Sequence, residues 1–254
     1  MKKVSKLFDI RSQKYNDIYS ESSSKKLLHQ EKKVRAAVVE DLVISCLSSN
    51  NEGVVVDVGC GVGNVLLNLR KNGLRAKMYG ADISQDMIRL ANQNQEKSGY
   101  RDINFIRGSI EDIEVSADVV LSLGVIGYEE KQEEFLSRLS SLVNHKGYLI
   151  FTTANGDSLL RLARRYLSKL HSFVRRRTKS NGVEFHSIRN KRVETVLTEH
   201  GFKVQKKVFI TFGLGLFASP IECSIDRWFF KYFSNNFIGK YLSLSVIYVY
   251  KRID

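Results

Sequence analysis

Three glycines and two carboxylates carry the most specific chemistry in this sequence. Gly59, Gly61 and Gly63 fall in the stretch Gly53–Asn64, Gly-Val-Val-Val-Asp-Val-Gly-Cys-Gly-Val-Gly-Asn. Residues without a Cβ let the backbone turn sharply and let a ligand lie against it, near the positive end of a helix dipole. That is the chemistry of a nucleotide-binding turn. The stretch lacks the Gly-Lys-Ser/Thr ending that a phosphate loop needs. Asn64 stands where Gly-x-Gly-x-x-Gly would require its third glycine. Asp57, two residues ahead of the first glycine, places a carboxylate inside the preceding strand. A carboxylate there suits a ligand with an ammonium group better than one with a pyrophosphate. Asp82 follows the last glycine by nearly 20 residues, the distance at which a second strand returns beside the first. At that place a carboxylate can accept both hydroxyls of an adenosine ribose.

These residues need a particular set of elements to hold them. Val54, Val55, Val56 and Val58 read as a short buried strand, and Val65, Leu66 and Leu69 as the helix after the turn. Residues 76–82 form a second strand, and Ser84 is a natural N-cap for the next helix. Strands follow at 103–107, at Val-rich 118–128, and at 147–153, where Lys146-Gly147 makes the turn after an amphipathic helix over 133–143. A helix through Val193, Val196 and Leu197 ends at Gly201, and 202–212 and 243–251 close the sheet as an antiparallel pair. In open α/β sheets ligands bind at strand carboxyl ends, so Ser122, Leu123 and the residues up to Tyr128 should line the site. Residues 24–49 read as one or two amphipathic helices covering one sheet face. Arg35 among them is expected to be solvated, although it is within reach of a ligand carboxylate.

The 254 residues suit one α/β domain, with no linker-like stretch and no internal repeat to mark a second. Cys46, Cys60 and Cys223 have neither paired nor metal-ligand spacing, so no disulfide framework and no metal site is expected. The N-terminus is basic but lacks the apolar core of a signal peptide. The longest uncharged run, Val208 to Ile221, is interrupted by two glycines and Pro220 and is shorter than the roughly 20 residues of a spanning helix. A cytoplasmic location is the expectation.

Val56-Asp-Val-Gly-Cys-Gly-Val-Gly-Asn64 closely resembles the first motif of class I S-adenosylmethionine (SAM)-dependent methyltransferases. Asp82-Ile83-Ser84-x-x-Met87-x-x-x-Ala91 matches a second pattern that the family shares. The resemblance covers about residues 53–153 closely and the two ends in outline. It implies a Rossmann-like α/β fold, a seven-stranded sheet of order 3-2-1-4-5-7-6 with helices on both faces, and one SAM per chain, released as S-adenosylhomocysteine (SAH). By the same resemblance Asp82 holds the ribose, with Ile83 and Met87 beside it. The turn with Asp57, Gly59, Cys60, Gly61 and Gly63 faces the methionine part, although packing alone accounts for Cys60. Ser109 and Ile110 face adenine. The family commonly has an Asp where Ser109 stands, so the serine oxygen or the Ile110 backbone would carry that contact. Phe8-Asp9-Ile10 and the cluster around Tyr15 and Tyr19 resemble a segment that folds over the cofactor in small-molecule methyltransferases, the ubiquinone, biotin-precursor and magnesium-porphyrin groups among them. A polar tail with anchoring aromatics is the other reading.

For an oxygen acceptor a base would help, and the candidates are His186, Tyr128, Tyr15 and Tyr19, the first two foremost. Phe185-His186-Ser187 ahead of a late helix is equally a structural run. The Asn/Asp-Pro-Pro-aromatic motif of base-amine methyltransferases is excluded, since Pro220 is the only proline. The cytosine-C5 class is disfavoured, with no cysteine near the fourth or fifth strand.

The formal charge of +13 is concentrated in Ser158–Lys179, where eight Lys and Arg residues accompany apolar positions at helical spacing and no acid intervenes. Three readings stay open: a solvated helix packed on the core, a basic helix on an anionic membrane surface, and a nucleic-acid or acidic-substrate patch. About 30 residues with many aromatics separate the last two strands, as a lid, a dimer interface or an interfacial anchor. The chain thus divides into lid helices (1–50), a SAM-binding core (51–155), a basic insertion (156–185) and a C-terminal half (186–254) with an aromatic insertion at 213–241. The favoured function is methyl transfer to a small or lipid-like acceptor met at the inner membrane surface. An RNA methyltransferase and a non-catalytic SAM-fold scaffold are the alternatives.

Overall fold

The computed structural model describes residues 2–19, 27–47, 52–163, 185–212 and 228–254. Most of the basic segment (164–179) and much of the aromatic insertion (213–227) lie outside the described residues.

Seven strands form one sheet: β1 Val54–Val58, β2 Lys77–Asp82, β3 Ile103–Arg107, β4 Ala117–Leu123, β5 Val143–Ala154, β6 Phe202–Ile210 and β7 Ser245–Arg252. Their order is β3-β2-β1-β4-β5-β7-β6. Strands β1 to β5 run parallel, while β7 lies antiparallel between β5 and β6. The helices are α1 Lys2–Tyr19, α2 Leu27–Cys46, α3 Asn64–Lys71, α4 Gln85–Lys97, α5 Gln132–Ser141, α6 Asn190–Glu199 and α7 Phe237–Leu242. The sheet order and the closing antiparallel pair agree with the expectation from the sequence.

The alternation of strand side chains builds two cores. Val55, Met78, Val119, Leu121 and Ile150 meet Ala36, Val39 and Val43 of α2 and Leu66 and Leu69 of α3 on one face. Val56, Val120, Leu149, Phe151 and Tyr248 meet Leu136 and Leu139 of α5 and Val193 and Leu197 of α6 on the other. Both faces of the central strands are buried, which is why they read as unbroken Val-Leu-Ile runs.

The N-terminal segment, read as part of lid helices over 1–50 with a polar tail as the other reading, is an 18-residue helix, α1. Val4, Leu7, Phe8 and Tyr15 recur at helical spacing, and Phe8 and Tyr15 pack on Val62, Met87 and Leu90. Lys146-Gly147 does not end an α-β turn. Strand β5 already begins at Val143, and Lys146, at φ 61°, forms an irregularity within it. A Cβ on Gly147 would lie 2.9 Å from both the Asn144 and Asp118 carbonyl oxygens, so glycine lets the strand close back onto β4. No helix among the described residues is long and apolar enough to cross a membrane.

Candidate active site

A cavity of about 430 Å³ opens at the carboxyl ends of β1, β2, β4 and β5. Its floor is the glycine turn. The Gly59 and Cys60 N–H groups donate to the Ala81 carbonyl at 2.7 and 3.0 Å, folding the turn against the end of β2. Gly59, Gly61 and Gly63 all have positive φ, at 79°, 56° and 79°. Gly59 and Gly63 are needed for packing, because a Cβ would fall 2.1 Å from Val125 and 2.6 Å from Phe105. Gly61 differs. A Cβ there would meet only the Met87 sulfur, at 4.0 Å, so this glycine keeps its backbone bare toward the cavity.

Asp82 ends β2 at the cavity wall. Its Oδ2 accepts from Gly61 N–H and its Oδ1 from Ser84 N–H, both at 2.9 Å. Burial raises its pKa above the ordinary value against the pull of these two donors. Asp57 is 2 % exposed within β1 and lies behind the cavity wall. Burial, reinforced by the Asp82 charge and opposed by Arg35, pushes it up to about 7. Its Oδ1 has no hydrogen-bond partner among the described residues.

Arg35 corrects the expectation of a solvated side chain. It is half-buried and lines the cavity, close enough to Gly124 that a Cβ there would sit 3.0 Å from a guanidinium nitrogen. The Asp82 carboxylate and the Arg35 guanidinium thus both line the cavity.

Another part of the lining is aromatic. Tyr128 lies edge-on between Phe8 of α1, at 5.1 Å, and Phe185, at 5.0 Å, and Tyr15 meets Phe8 at 5.9 Å. Phe185 rests on bare backbone, since a Cβ on Gly127 would fall 2.3 Å from its ring. His186 N–H holds this segment in place by donating to the Gly127 carbonyl at 2.7 Å. Helix α1 crosses above, fastened by Asp9, which accepts from Ser84 Oγ at 2.6 Å, and by Ser5, whose hydroxyl donates to the Ile83 carbonyl at 3.1 Å.

Of the residues singled out from sequence, Gly59, Gly61, Asp82, Ile83, Met87, Ser109, Ile110, Leu123, Tyr15 and Tyr128 line the cavity. Asp57, Cys60, Gly63, Ser122 and His186 do not. The Tyr19 side chain lies outside the described residues. The Ser109 hydroxyl and N–H both donate to Asp112, at 3.0 and 2.7 Å, as part of a capping box. Burial raises the Tyr128 pKa, so its hydroxyl stays protonated at neutral pH and acts as a donor. Gly124 and Val125, within the 122–128 stretch expected at the site, also line the cavity, as do Phe185, Thr152 and Thr153, which were not singled out.

Residues 49–201 match the family model described as a methyltransferase domain. The chain belongs to this family. Among curated proteins, the chain is 28 % identical to a ubiquinone biosynthesis O-methyltransferase of Rickettsia bellii, over 51 % of this chain and 53 % of that protein. It is 29 % identical to a malonyl-[acyl-carrier protein] O-methyltransferase of Halalkalibacterium halodurans, over 42 % and 41 %. The chain spans about half the length of these relatives or less. A solved magnesium protoporphyrin IX methyltransferase of Synechocystis, with bound SAH, superimposes with a TM-score of 0.70 over 98 % of each chain at 19 % identity. That likeness shows that the methyltransferase fold extends over nearly the whole chain.

Proposed function

We propose that this methyltransferase binds SAM along Gly59–Gly61 and Asp82 and methylates a small, largely apolar acceptor seated against Phe8, Tyr128 and Phe185. The observation that carries the reading is the convergence of bare glycine backbone, carboxylate and guanidinium in one cavity. SAM fits these residues. Its amino acid end carries both an ammonium and a carboxylate: Arg35 lines the cavity within reach of the carboxylate, and Asp57, buried in β1 beside the lining residue Val58, attracts the ammonium through its charge. Bare backbone at Gly61 admits close approach, and Asp82 retains lone pairs for a ribose diol beyond the two N–H groups it accepts. Ile110 and Ser109 stand at the adenine end.

SAM, when bound, supplies an activated methyl group, so the protein's own task is orientation and exclusion of water. The aromatic wall seats the acceptor, and α1 closes the cavity over it. The protonated Tyr128 hydroxyl can donate to an acceptor oxygen and fix its direction. His186, through its backbone, holds Phe185 in place.

The test is label transfer from methyl-labelled SAM to cell extract separated into lipid, aqueous and RNA fractions. Label in a small organic-extractable product is expected. Label confined to RNA, or no transfer, would overturn the reading.

A further inference from the structure

Apolar side chains face outward from the segment tied to the carboxyl end of β5. In the helical residues 228–233, Trp228 and Tyr232 stand one turn apart, each 53 % exposed, with ring centroids 5.2 Å apart. Phe237, at the start of α7, is 71 % exposed, and Ile238 beside it nearly half. Lys231 and Lys240 hold their ammonium groups 5.4 Å from the ring centroids of Tyr232 and Tyr241. No carboxylate occurs from Trp228 to Ile253. Amphipathic rings with lysine heads alongside are the composition of a membrane-interface belt.

The patch is a built unit. Asn236 caps α7 by accepting from Gly239 N–H at 3.1 Å, and Gly239 is pressed so closely under the Phe233 carbonyl that a Cβ would lie 2.0 Å from its oxygen. Asn155, just past β5, fastens the unit to the sheet by donating to the Lys240 carbonyl at 2.7 Å and to Ser243. Ala154 and Ser245, beside these ties, line the cavity. The ties that hold this exposed face therefore adjoin the cavity lining.

We propose that residues 228–241 dock this protein on the interfacial layer of an anionic lipid bilayer and so present the cavity to acceptors dissolved there. The purpose of docking rests on the methyl-transfer reading, whereas docking itself does not. Charge selects the occupant. A second copy would bring Lys231 and Lys240 against like charge, with no carboxylate in the face to meet them. A nucleic acid would pair with the lysines but would leave Ile238 and Phe237 without apolar cover. A bilayer satisfies both features.

Trp228 is the only tryptophan in the chain, so its fluorescence reports on this face alone. The full-length protein is titrated with vesicles of phosphatidylcholine, with and without phosphatidylglycerol. A blue shift with the anionic vesicles, and quenching by brominated acyl chains, is expected. The double variant Phe237→Ser, Ile238→Ser should weaken partitioning by roughly tenfold or more, with unchanged circular dichroism. Unchanged emission with anionic vesicles would overturn the proposal. So would a blue shift that grows with protein concentration without lipid, or one produced by single-stranded RNA and not by vesicles. SAM affinity measured calorimetrically without vesicles is a separate readout, so failure to dock and failure to bind the methyl donor are distinguishable.

Discussion

Asp57 shows how one buried group links stability to binding. Its pKa in the folded protein is raised to about 7, whereas an unfolded chain releases this proton near the ordinary carboxylate value. The folded state therefore binds more protons between these values, and the ligand-free protein loses stability as pH rises through that window. Asp57→Asn should raise stability at about pH 8 by on the order of 3 kcal/mol and add little at about pH 4, measured by thermal unfolding. Binding of a cation beside Asp57 favours its ionised form. SAM affinity should consequently rise with pH up to about 7 and then level, with proton release visible calorimetrically in buffers of different ionisation enthalpy. In Asp57→Asn that slope should vanish. The glycines and both aspartates were legible because backbone geometry and strand spacing dictate them. Arg35 was not, because its place depends on how α2 crosses the sheet, and an arginine on an amphipathic helix reads as solvated. Phe185 was not legible either, because an aromatic ahead of a late helix reads as core, whereas here it lines the cavity and its neighbour His186 does not.

At the scale of elements, polar ties hold α1 over the site. Asp9 accepts from Ser84 Oγ at 2.6 Å and from Asp86 N–H at 3.4 Å, joining the lid to the N-terminus of α4. Asp9→Ala should loosen the lid and speed SAM release by roughly fivefold, about 1 kcal/mol, while leaving the unfolding temperature nearly unchanged; stopped-flow displacement would measure it. Gly127→Ala would drive a methyl group into the Phe185 ring, 2.3 Å from its closest carbon. Transfer to the acceptor should fall at least tenfold while SAM affinity stays within about twofold, because the glycine turn is untouched. The strand positions were readable from apolar runs and glycine punctuation. The seating of α1 over the cavity was less so, because its apolar face is thin: Leu7 is buried, while Phe8 and Tyr15 are only half-buried and meet the small Val62–Met87–Leu90 cluster. The early start of β5 was missed because Lys146-Gly147 has the local chemistry of a turn, and only pairing with β4 makes it an irregularity within a strand.

Over the whole molecule, the sheet order followed from the family's motifs and not from composition, since nothing local tells β7 to insert between β5 and β6. The closure is secured by buried polar contacts. Asn155 is fully buried and donates to the Lys240 and Ser243 carbonyls and the Ser243 hydroxyl, binding α7 to the carboxyl end of β5. Asn155→Ala would leave these acceptors unpaired and should cost about 2–4 kcal/mol in denaturant unfolding. The account as a whole stands on one claim, that the cavity at the strand carboxyl ends is a SAM site organised by Asp82. Isothermal titration of SAM into the wild type, Asp82→Asn and Asp82→Ala tests it most directly. Micromolar binding by the wild type is predicted, weakened on the order of 100-fold or more in Asp82→Ala through loss of two charge-assisted hydrogen bonds, with Asp82→Asn between them. Absence of SAM binding by the folded wild type, or full affinity in Asp82→Ala, would contradict it.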